Sequence, residues 1–391
     1  MLNKMAWKIA VLLCGISLSL YAQKTGKPIV VITDCYHPYQ DPGDNLDLIQ
    51  AFALEDVRTL GIILDITDSF RKDTADHPTL WKDPRGPREA GVIPVMQLQY
   101  IFNREIPFAV SPMELMKSET DRMEDLPAFQ DRGVSLLLNL LEKSDESVEV
   151  LSFGSARVLA VAFNRNPELL QKKISRIHLS AGTASKGHVM GKDAGANSIP
   201  GGEWNVALDV FAFTRLLKSG LNIALYPCAG KDGGFVKDVN NTYYTLKDMG
   251  FLSRMHPQLQ AYINYAFEPE LKYDFLRDMD RGAVYTQGKK PQFEQFHVWE
   301  SSIWLIVRGL EMVKEGPDRY RLEHKDRLKA ADKVVENRLR PCVLTEIRDD
   351  GRFQFEYTES SPVSIFYRAD LEESERALNY LVPKIFESFK P

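Results

Sequence analysis

The chain has 391 residues, of which 44% are hydrophobic and 26% are charged, a composition typical of a globular protein with ample material for a core. Its formal net charge at pH 7 is −5, and the lack of a basic cluster argues against nucleic acid as a partner. We find no internal repeat, low-complexity run or Pro- and Ser-rich linker, so one main domain is favoured over the two that the length alone would suggest.

Residues 1–22 have the features of a secretory signal peptide. Lys4 and Lys8 precede an apolar core at residues 9–20, and Ala22 ends a suitable cleavage site. The apolar run is too short to span a bilayer comfortably, so a retained membrane anchor is not expected. The sequence therefore predicts a mature chain that is periplasmic or secreted and has no membrane contact once the signal is removed.

Export would leave three cysteines in the mature chain, Cys35, Cys228 and Cys342. Their number is odd and they form no CxxC pair, so they indicate neither a disulfide framework nor a zinc site. An oxidising compartment would still allow one disulfide.

A cluster of aspartates lies between the first predicted strand, at residues 28–32, and the first predicted helix, at residues 48–54. Open α/β sheets bind ligands beyond the carboxyl ends of their strands, so we expect a site at this turn. Like charges this close repel unless a cation or protons neutralise them, and hard oxygen ligands favour calcium or magnesium over zinc. The alternative is a solvated turn, because Asp is also an ordinary turn and cap residue. The four aspartates are Asp34, Asp41, Asp44 and Asp47.

Strands and helices continue to alternate after this turn. Residues 65–90 predict a long surface loop that could cover the site. The alternation predicts an α/β fold, an open and mostly parallel sheet flanked by helices in a Rossmann-like arrangement of three layers. Further strands are predicted at residues 60–64, 106–110, 148–153, 174–180 and 221–226, and further helices at residues 92–103, 133–143, 158–163, 210–218 and 301–307.

A second polar stretch runs from Asn197 to Asp209 around a Pro-Gly-Gly turn. The amides of Asn197 and Asn205 and the carboxylate of Glu203 could bind the vicinal hydroxyls of a polyol, and Trp204 offers a flat apolar face. The alternative is a polar loop with Asp209 at the start of a helix. Taken alone, this stretch favours that alternative.

The order of these features resembles the inosine-uridine nucleoside hydrolase family, whose first strand ends in a DxDPGxDD-type aspartate cluster. Asn197, Glu203, Asn205 and Asp209 reproduce its GN(x4)AEFN(x3)D-like segment, which carries ribose-binding groups, and Trp204 stands in the aromatic position. The match extends from about residue 27 to residue 309 and implies a nucleoside hydrolase-like fold.

Two turns depart from the family pattern while keeping its order. Residues 154–157 resemble a GPLTN-like turn, with Arg157 in place of a threonine that offers its backbone carbonyl to the metal. A carbonyl ligand does not depend on the side chain. In the first turn, extra residues separate Asp34 from Asp44, and one aspartate replaces an adjacent pair. The resemblance places Asp44 at a bidentate calcium aspartate, and Asp41 or Asp47 could replace the missing carboxylate.

The last motif also departs from the family, in which a His-Asp pair opens a helix near the leaving base. Glu300 stands in place of the calcium-binding aspartate, and Trp299 stands in place of the histidine. His297 lies two residues before Trp299 and could protonate the departing base, although a histidine here is at least as often structural.

The resemblance implies a calcium-dependent hydrolase that cleaves the N-glycosidic bond of nucleosides, or of a related ribosyl compound, into free base and ribose. One Ca²⁺ ion would orient the attacking water, and Asp34 would be the catalytic base with Asp41 as the second candidate. The implied metal ligands are Asp34, Asp44, Glu300 and the Arg157 carbonyl, and the implied substrate-binding residues are Asn197, Glu203, Trp204, Asn205 and Trp299.

Two alternatives remain open. The same fold and metal could act on another glycoside, because the altered first and last motifs face the leaving group. The chain could instead be a non-catalytic periplasmic protein that binds a sugar or nucleoside, although a pure binder does not need Asp34, Asp41 and Asp44 to converge on a cation. In each case the partner is a small molecule, and a homo-oligomer is compatible with the sequence.

The resemblance fades after residue 309. There we predict a charged helix at residues 319–338, a hairpin at residues 343–357 around an Asp-Asp-Gly turn, and an amphipathic closing helix at residues 372–389. These elements could cap the sheet edge or form an oligomer contact. We therefore expect a signal at residues 1–22, a nucleoside hydrolase-like α/β domain at residues 23–315 and a C-terminal extension at residues 316–391 packed on the same domain.

Overall fold

The computed structural model describes the chain in six segments, which are residues 26–36, 42–67, 89–184, 203–266, 274–280 and 295–391. Three parts of the sequence predictions lie outside them: the signal peptide, Asp41 and Asn197. Most of the predicted loop at residues 65–90 also lies outside. The helices described below carry no stretch long and apolar enough to cross a membrane.

Strands and helices alternate over most of the described chain. The strands are β1 (Lys27–Thr33), β2 (Val57–Leu64), β3 (Phe108–Val110), β4 (Val148–Phe153), β5 (Ile174–Ser180), β6 (Ile223–Tyr226), β7 (Tyr244–Leu246), β8 (Phe296–Val298), β9 (Leu310–Gly316), β10 (Arg319–His324), β11 (Lys333–Val335), β12 (Asn337–Ile347), β13 (Phe353–Tyr357) and β14 (Val363–Arg368). The helices are α1 (Pro42–Ala53), α2 (Val92–Phe102), α3 (Ala128–Lys143), α4 (Arg157–Arg165), α5 (Pro167–Lys173), α6 (Trp204–Leu208), α7 (Val210–Leu217), α8 (Pro257–Ala266), α9 (Arg277–Asp280), α10 (Ser301–Val307) and α11 (Leu371–Ser388).

Within the described segments, nine strands form one sheet in the order β13-β12-β14-β6-β5-β4-β1-β2-β3. Every neighbouring pair from β14 to β3 is parallel, whereas β12 pairs antiparallel with both β13 and β14. The predicted open, mostly parallel α/β sheet is confirmed.

Successive residues of the central strands pack on opposite faces of the sheet. Ile29 and Val31 of β1 belong to one hydrophobic cluster, with residues of α1, α2, α8, α10 and α11. Val30 and Ile32 belong to a second cluster, with residues of α3, α4, α5 and α7. A parallel sheet with apolar side chains on both faces needs helices on both sides, which gives the three layers.

Helix α1 begins at Pro42, six residues before the predicted start at Leu48. Proline favours the first helical position because its fixed φ suits a helix and its missing N–H would have no partner there. Asp44 therefore lies in the first turn of α1, where a carboxylate is stabilised by the helix dipole. The Asp44 carboxylate is therefore carried by a helix and not by the preceding turn.

The prediction of a helix at residues 319–338 is wrong. This region forms β10, a single 3₁₀ turn and β11, and both strands pair antiparallel with β9 in a small three-stranded sheet. Tyr320 is buried and packs edge-on against Tyr380 of α11, whereas its neighbours Arg319 and Arg321 point to the other face. Alternation with period two, and not a helical stripe, organises these charged residues.

The last two sequence predictions for this region are confirmed. β12 and β13 form the expected hairpin, and Gly351 in its turn has φ +81°, a left-handed conformation that favours glycine. Helix α11 closes the chain as predicted. Strand β14 pairs in parallel with β6, so residues 337–368 extend the main sheet at one edge.

Candidate active site

The carboxyl ends of the central strands meet at one edge of the sheet. Thr33, the last residue of β1, lies opposite Phe153, the last residue of β4. The register between β4 and β5 brings Ser180 to the same row. Neighbouring strands are about 4.8 Å apart, so Ser180 lies about 10 Å from the end of β1.

Asp34 and Asp65 follow directly after β1 and β2, and both lie close to Gly154. A Cβ atom added to Gly154 would lie 3.1 Å from the Cβ of Asp34 and 2.9 Å from Oδ2 of Asp65. Asp65 was not among the predicted site residues, although it follows an apolar run just as Asp34 does. That strand-end position was the available signal.

Asp65 is fully buried and held by neutral donors. The Ser111 hydroxyl donates to its Oδ1 at 2.9 Å, and the Ser155 backbone N–H donates to its Oδ2 at 2.6 Å. Burial raises the pKa of Asp65, while the Arg157 guanidinium, 3.8 Å away, acts in the opposite direction. Asp65 therefore holds a proton more readily than an exposed aspartate does.

The Arg157 side chain is completely buried at the start of α4. Its Nε donates to Oδ2 of Asp209 at 2.8 Å, and its Nη2 donates to Thr67 Oγ1 and to the Leu208 carbonyl at 2.7 and 2.6 Å. Its Nη1 donates to the Pro112 carbonyl at 2.7 Å. The predicted role of Arg157 concerned its backbone carbonyl, and this structural role of its side chain was not predicted.

Asp209 caps helix α7 and is the acidic partner of Arg157. Its Oδ1 accepts from the Ala212 backbone N–H at 3.1 Å, and its Oδ2 accepts from the Met116 backbone N–H at 2.9 Å. The last aspartate of the family-like segment is thus a buried helix cap that holds several elements together.

Glu203 and Asn205 are both anchored to the end of β5. Glu203 accepts backbone hydrogen bonds from Gly182, Asn205 and Val206 at 2.8, 3.0 and 3.2 Å. Burial raises the pKa of Glu203 to about 7, against the effect of these donors. Asn205 donates from Nδ2 to the Ser180 carbonyl at 2.8 Å. Trp204, which lies between Glu203 and Asn205 in the sequence, is half-buried.

Glu300 reaches the same strand end from the other side. The Ser180 hydroxyl donates to its Oε1 at 3.0 Å, and the Cys228 sulfur lies 3.4 Å from the Ser180 oxygen. Burial raises the pKa of the Cys228 thiol well above its usual range, and the Glu203 and Glu300 carboxylates raise it further. Cys228 therefore stays protonated between two carboxylates. In the sequence, only its position just beyond β6 could have indicated that it belongs to the site.

Helices α1 and α10, which carry the first and the last of the motifs that resemble nucleoside hydrolases, lie close together. Asp47 accepts from the indole N–H of Trp304 at 2.7 Å, and Trp304 lies one helical turn after Glu300. Asp47 is thus turned towards Trp304. Asp44 is 9% exposed in the first turn of the same helix.

His297 and Trp299 belong to a cluster of four rings that we call the aromatic wall, Phe235, Tyr243, His297 and Trp299. The Tyr243 hydroxyl lies 2.9 Å from Nδ1 of His297, and the Trp299 indole donates to the Cys228 carbonyl at 2.8 Å. The Phe235 ring packs edge-on against the rings of His297 and Trp299, with centroid-to-centroid distances of 5.0 and 5.7 Å. Burial lowers the pKa of His297, which favours its neutral form.

No protein-family model matches the chain. A curated Arabidopsis thaliana protein, nucleoside hydrolase 4, is 31% identical over 153 residues, which are 37% of this chain and 26% of that protein. Over these residues the chain is similar to a nucleoside hydrolase. It spans about a quarter of the length of this relative, so the likeness extends to a segment of it.

Several solved nucleoside hydrolases align with this chain at low identity. An inosine-uridine preferring enzyme from Bacillus anthracis is 14% identical, with a TM-score of 0.45 and coverage of 92% of this chain and 99% of its own. A plant nucleoside hydrolase is 14% identical, with a TM-score of 0.49 and coverage of 90% and 98%. The α/β assignment stands on the strand order given above.

The chain has carboxylates that could bind a metal, but they do not complete a metal site within the described segments. There, no group of three or more His, Cys, Asp and Glu side chains is close enough to hold an ion. Asp34, Asp44 and Glu300 have the hard oxygen atoms that suit Ca²⁺ or Mg²⁺. Asp41, the remaining candidate, lies outside the described residues.

Proposed function

We propose that this chain is an enzyme that hydrolyses the N-glycosidic bond of nucleosides, or of a related ribosyl compound, to free base and ribose. The proposal is carried by the convergence of Glu203, Asn205 and Glu300 on residues 180–182 at the end of β5, where Asn205 and Glu300 contact Ser180 and Glu203 contacts Gly182. The likeness to a curated nucleoside hydrolase over 153 residues adds support.

The sugar would bind at the end of β5. Glu203 is fixed by three backbone donors and Asn205 by one backbone acceptor, so neither must be reoriented when hydroxyls arrive. Asn197 would complete this set. Fixed polar groups convert binding energy into alignment of the anomeric carbon, which lowers the entropic part of the barrier.

Asp34 would accept the proton of the attacking water. Cleavage of an N-glycosidic bond passes through an oxocarbenium-like cation, so a carboxylate next to the reacting carbon also stabilises developing positive charge. Asp65 also contacts Gly154, but its raised pKa makes it the weaker candidate for an ionised base. Asp41 remains the second candidate.

A divalent ion, proposed as Ca²⁺, would be held by Asp34, Asp44, Glu300 and the carbonyl of Arg157 only if these carboxylates move closer together, because no three of the described acidic side chains form a ligand group. When bound, it would supply a template for the water and the sugar diol and a modest Lewis acid. The carboxylate chemistry suits this ion, and calcium acidifies water less than zinc does, so the base described above is still needed.

The departing base would meet the aromatic wall. Trp299 is half-buried and offers a face for stacking. His297, oriented by Tyr243, could donate a hydrogen bond to the base in its neutral form, or protonate the base in its imidazolium form. We further propose that the protein works in the periplasm or outside the cell, in line with the signal-like residues 1–22.

The test is to measure ribose release by the purified mature chain from a panel of nucleosides, with and without a chelator and with Ca²⁺ added back. Release that depends on the metal supports the proposal. Metal binding without nucleoside turnover would favour action on another glycoside, and tight nucleoside binding that is indifferent to chelator would favour a non-catalytic binding protein.

A further inference from the structure

The base side of the candidate site depends on a loop that the C-terminal part of the chain holds in place. This site loop, residues 228–247, follows β6 and carries Cys228 together with Phe235 and Tyr243 of the aromatic wall. Its strand β7 pairs with β8, and it also contacts β14 and α11, which lie beyond the sequence motifs that resemble nucleoside hydrolases.

Arg368, at the end of β14, is buried against the middle of the site loop. Its Nε donates to the Asp238 carbonyl at 3.0 Å and its Nη2 donates to Oδ1 of Asn241 at 2.8 Å. Its backbone N–H donates to the Val239 carbonyl at 2.8 Å. A buried guanidinium needs acceptors, so Arg368 and this turn stabilise each other.

Glu375, on α11, holds the loop on both sides of Tyr243. Its carboxylate accepts from Lys237 Nζ at 2.7 Å, from Lys247 Nζ at 3.1 Å and from the backbone N–H of Thr245 at 3.1 Å. The Glu375 side chain is only 4% exposed, so these charge-assisted contacts are poorly screened.

The two anchored points are each two residues from a ring of the aromatic wall. Lys237 follows Phe235, and Thr245 follows Tyr243. The Tyr243 hydroxyl lies 3.1 Å from Oγ1 of Thr245 and 2.9 Å from Nδ1 of His297. A shift of Thr245 would therefore change the hydrogen bond that orients His297.

We propose that Glu375 and Arg368 are positioning residues that hold the aromatic wall against the departing base and thereby set which bases are accepted. This inference rests on the proposed function, since it concerns the base of the nucleoside. Residues 363–388 would thereby have a role in base recognition that is separate from binding of the metal and of the sugar.

A matched pair of substitutions in α11 separates positioning from general stability. Glu375→Gln keeps the shape of the side chain but loses the charge that binds Lys237 and Lys247. Glu373→Gln is the control, because Glu373 accepts from Lys314 Nζ at 2.8 Å and from the Tyr320 hydroxyl at 2.6 Å, both outside the site loop.

Two readouts are compared in both variants of the full mature chain. Amide hydrogen exchange of residues 230–245 should become about tenfold faster in Glu375→Gln, the effect expected from losing a charged hydrogen-bond partner, and stay unchanged in Glu373→Gln. The ratio of kcat/KM between a purine and a pyrimidine nucleoside should shift by about threefold or more in Glu375→Gln only, while the inhibition constant of free ribose stays constant.

Equal exchange rates and equal base ratios in the two variants would overturn the inference. Lys237→Gln, a change to a partly exposed loop residue, tests the same contact from the other side if Glu375→Gln fails to fold, and should shift both readouts in the same direction. Lack of turnover by the wild-type chain would overturn the proposed function and with it the role in base choice, while the exchange rates would still decide whether α11 braces the loop.

Discussion

Around Ser180 the candidate site is built from strand ends and buried side chains, whereas around Trp299 it is built from a loop and from rings that range from buried to exposed. Glu203 and Glu300 are each tied to β5 by short hydrogen bonds. The aromatic wall instead includes Phe235, whose side chain is 45% exposed. The difference suggests that the sugar side is fixed by the sheet, while the base side can vary through the loop and its C-terminal supports.

The largest effect is expected on the sheet side, from Asp34→Ala. Loss of a catalytic base typically lowers the rate by about 10²- to 10⁴-fold, and Asp34 is also a proposed metal ligand. We therefore expect ribose release from any cleaved nucleoside to fall by at least about a hundredfold, with the fold intact by circular dichroism.

Asp56→Ala is the matched control for this change. Asp56 lies at the opposite end of the strands, just before β2, where it accepts from Nε of Arg308 at 2.7 Å. Its loss should leave ribose release unaltered. Equal activity in the Asp34 and Asp56 variants would remove Asp34 from the chemistry.

The second prediction concerns the buried ion pair between Arg157 and Asp209 on the sheet side of the site. Arg157→Met would leave Asp209 buried without its cationic partner, and breaking such a pair costs about 3–5 kcal/mol of unfolding free energy. Denaturant unfolding measures this loss. Arg308→Met, which removes the partly exposed pair with Asp56, should cost about 1 kcal/mol or less.

A double variant sharpens the attribution. If the loss in Arg157→Met comes from the uncompensated Asp209 charge, then Arg157→Met combined with Asp209→Asn should be less destabilised than the sum of the two single changes. Strict additivity would show that the cavity left by the guanidinium, and not the pair, is the cause.

The sheet and part of the site followed from local patterns. Buried parallel strands are continuous apolar runs, so β4 and β5 were predicted at their observed bounds. Motif spacing singled out Glu203, Asn205 and Glu300, which the structure brings to one strand end.

Contacts between distant segments could not be predicted in the same way. Ser180 and Cys228 join Glu203 to Glu300, but each is a small residue with no motif of its own, and only the pairing of β5 with β6 brings them together. The same holds for Glu375, which contacts Thr245 across 130 positions in the chain. The charged strand β10 was mistaken for a helix because its alternation is short.

The third prediction concerns acid sensitivity on the sheet side. His178 of β5 is buried between the Tyr226 hydroxyl at 2.9 Å and Oε2 of Glu149 at 3.0 Å, and burial lowers its pKa below 6.5. Between that lowered pKa and 6.5 the unfolded chain binds a proton that the folded chain does not, so stability should fall as pH falls through this window.

Denaturant unfolding at several pH values measures this effect, whose slope for one proton is at most about 1.4 kcal/mol per pH unit. The slope below pH 6.5 should be smaller in His178→Gln than in the wild type. An unchanged slope would mean that other groups carry the acid sensitivity of the sheet side.

The smallest effect is expected on the base side, from Phe235→Ala. Edge-on ring contacts contribute about 0.5–1.5 kcal/mol, so loss of those with His297 and Trp299 should lower kcat/KM for nucleosides by about three- to tenfold. Phe129→Ala is the control, because Phe129 is 53% exposed on α3, away from the aromatic wall. The inhibition constant of ribose should not change in either variant, since the sugar groups are anchored to β5. A weaker affinity for ribose in Phe235→Ala would show that the two sides of the site are coupled, and that the loop also shapes the part of the site that the sheet was inferred to fix by itself.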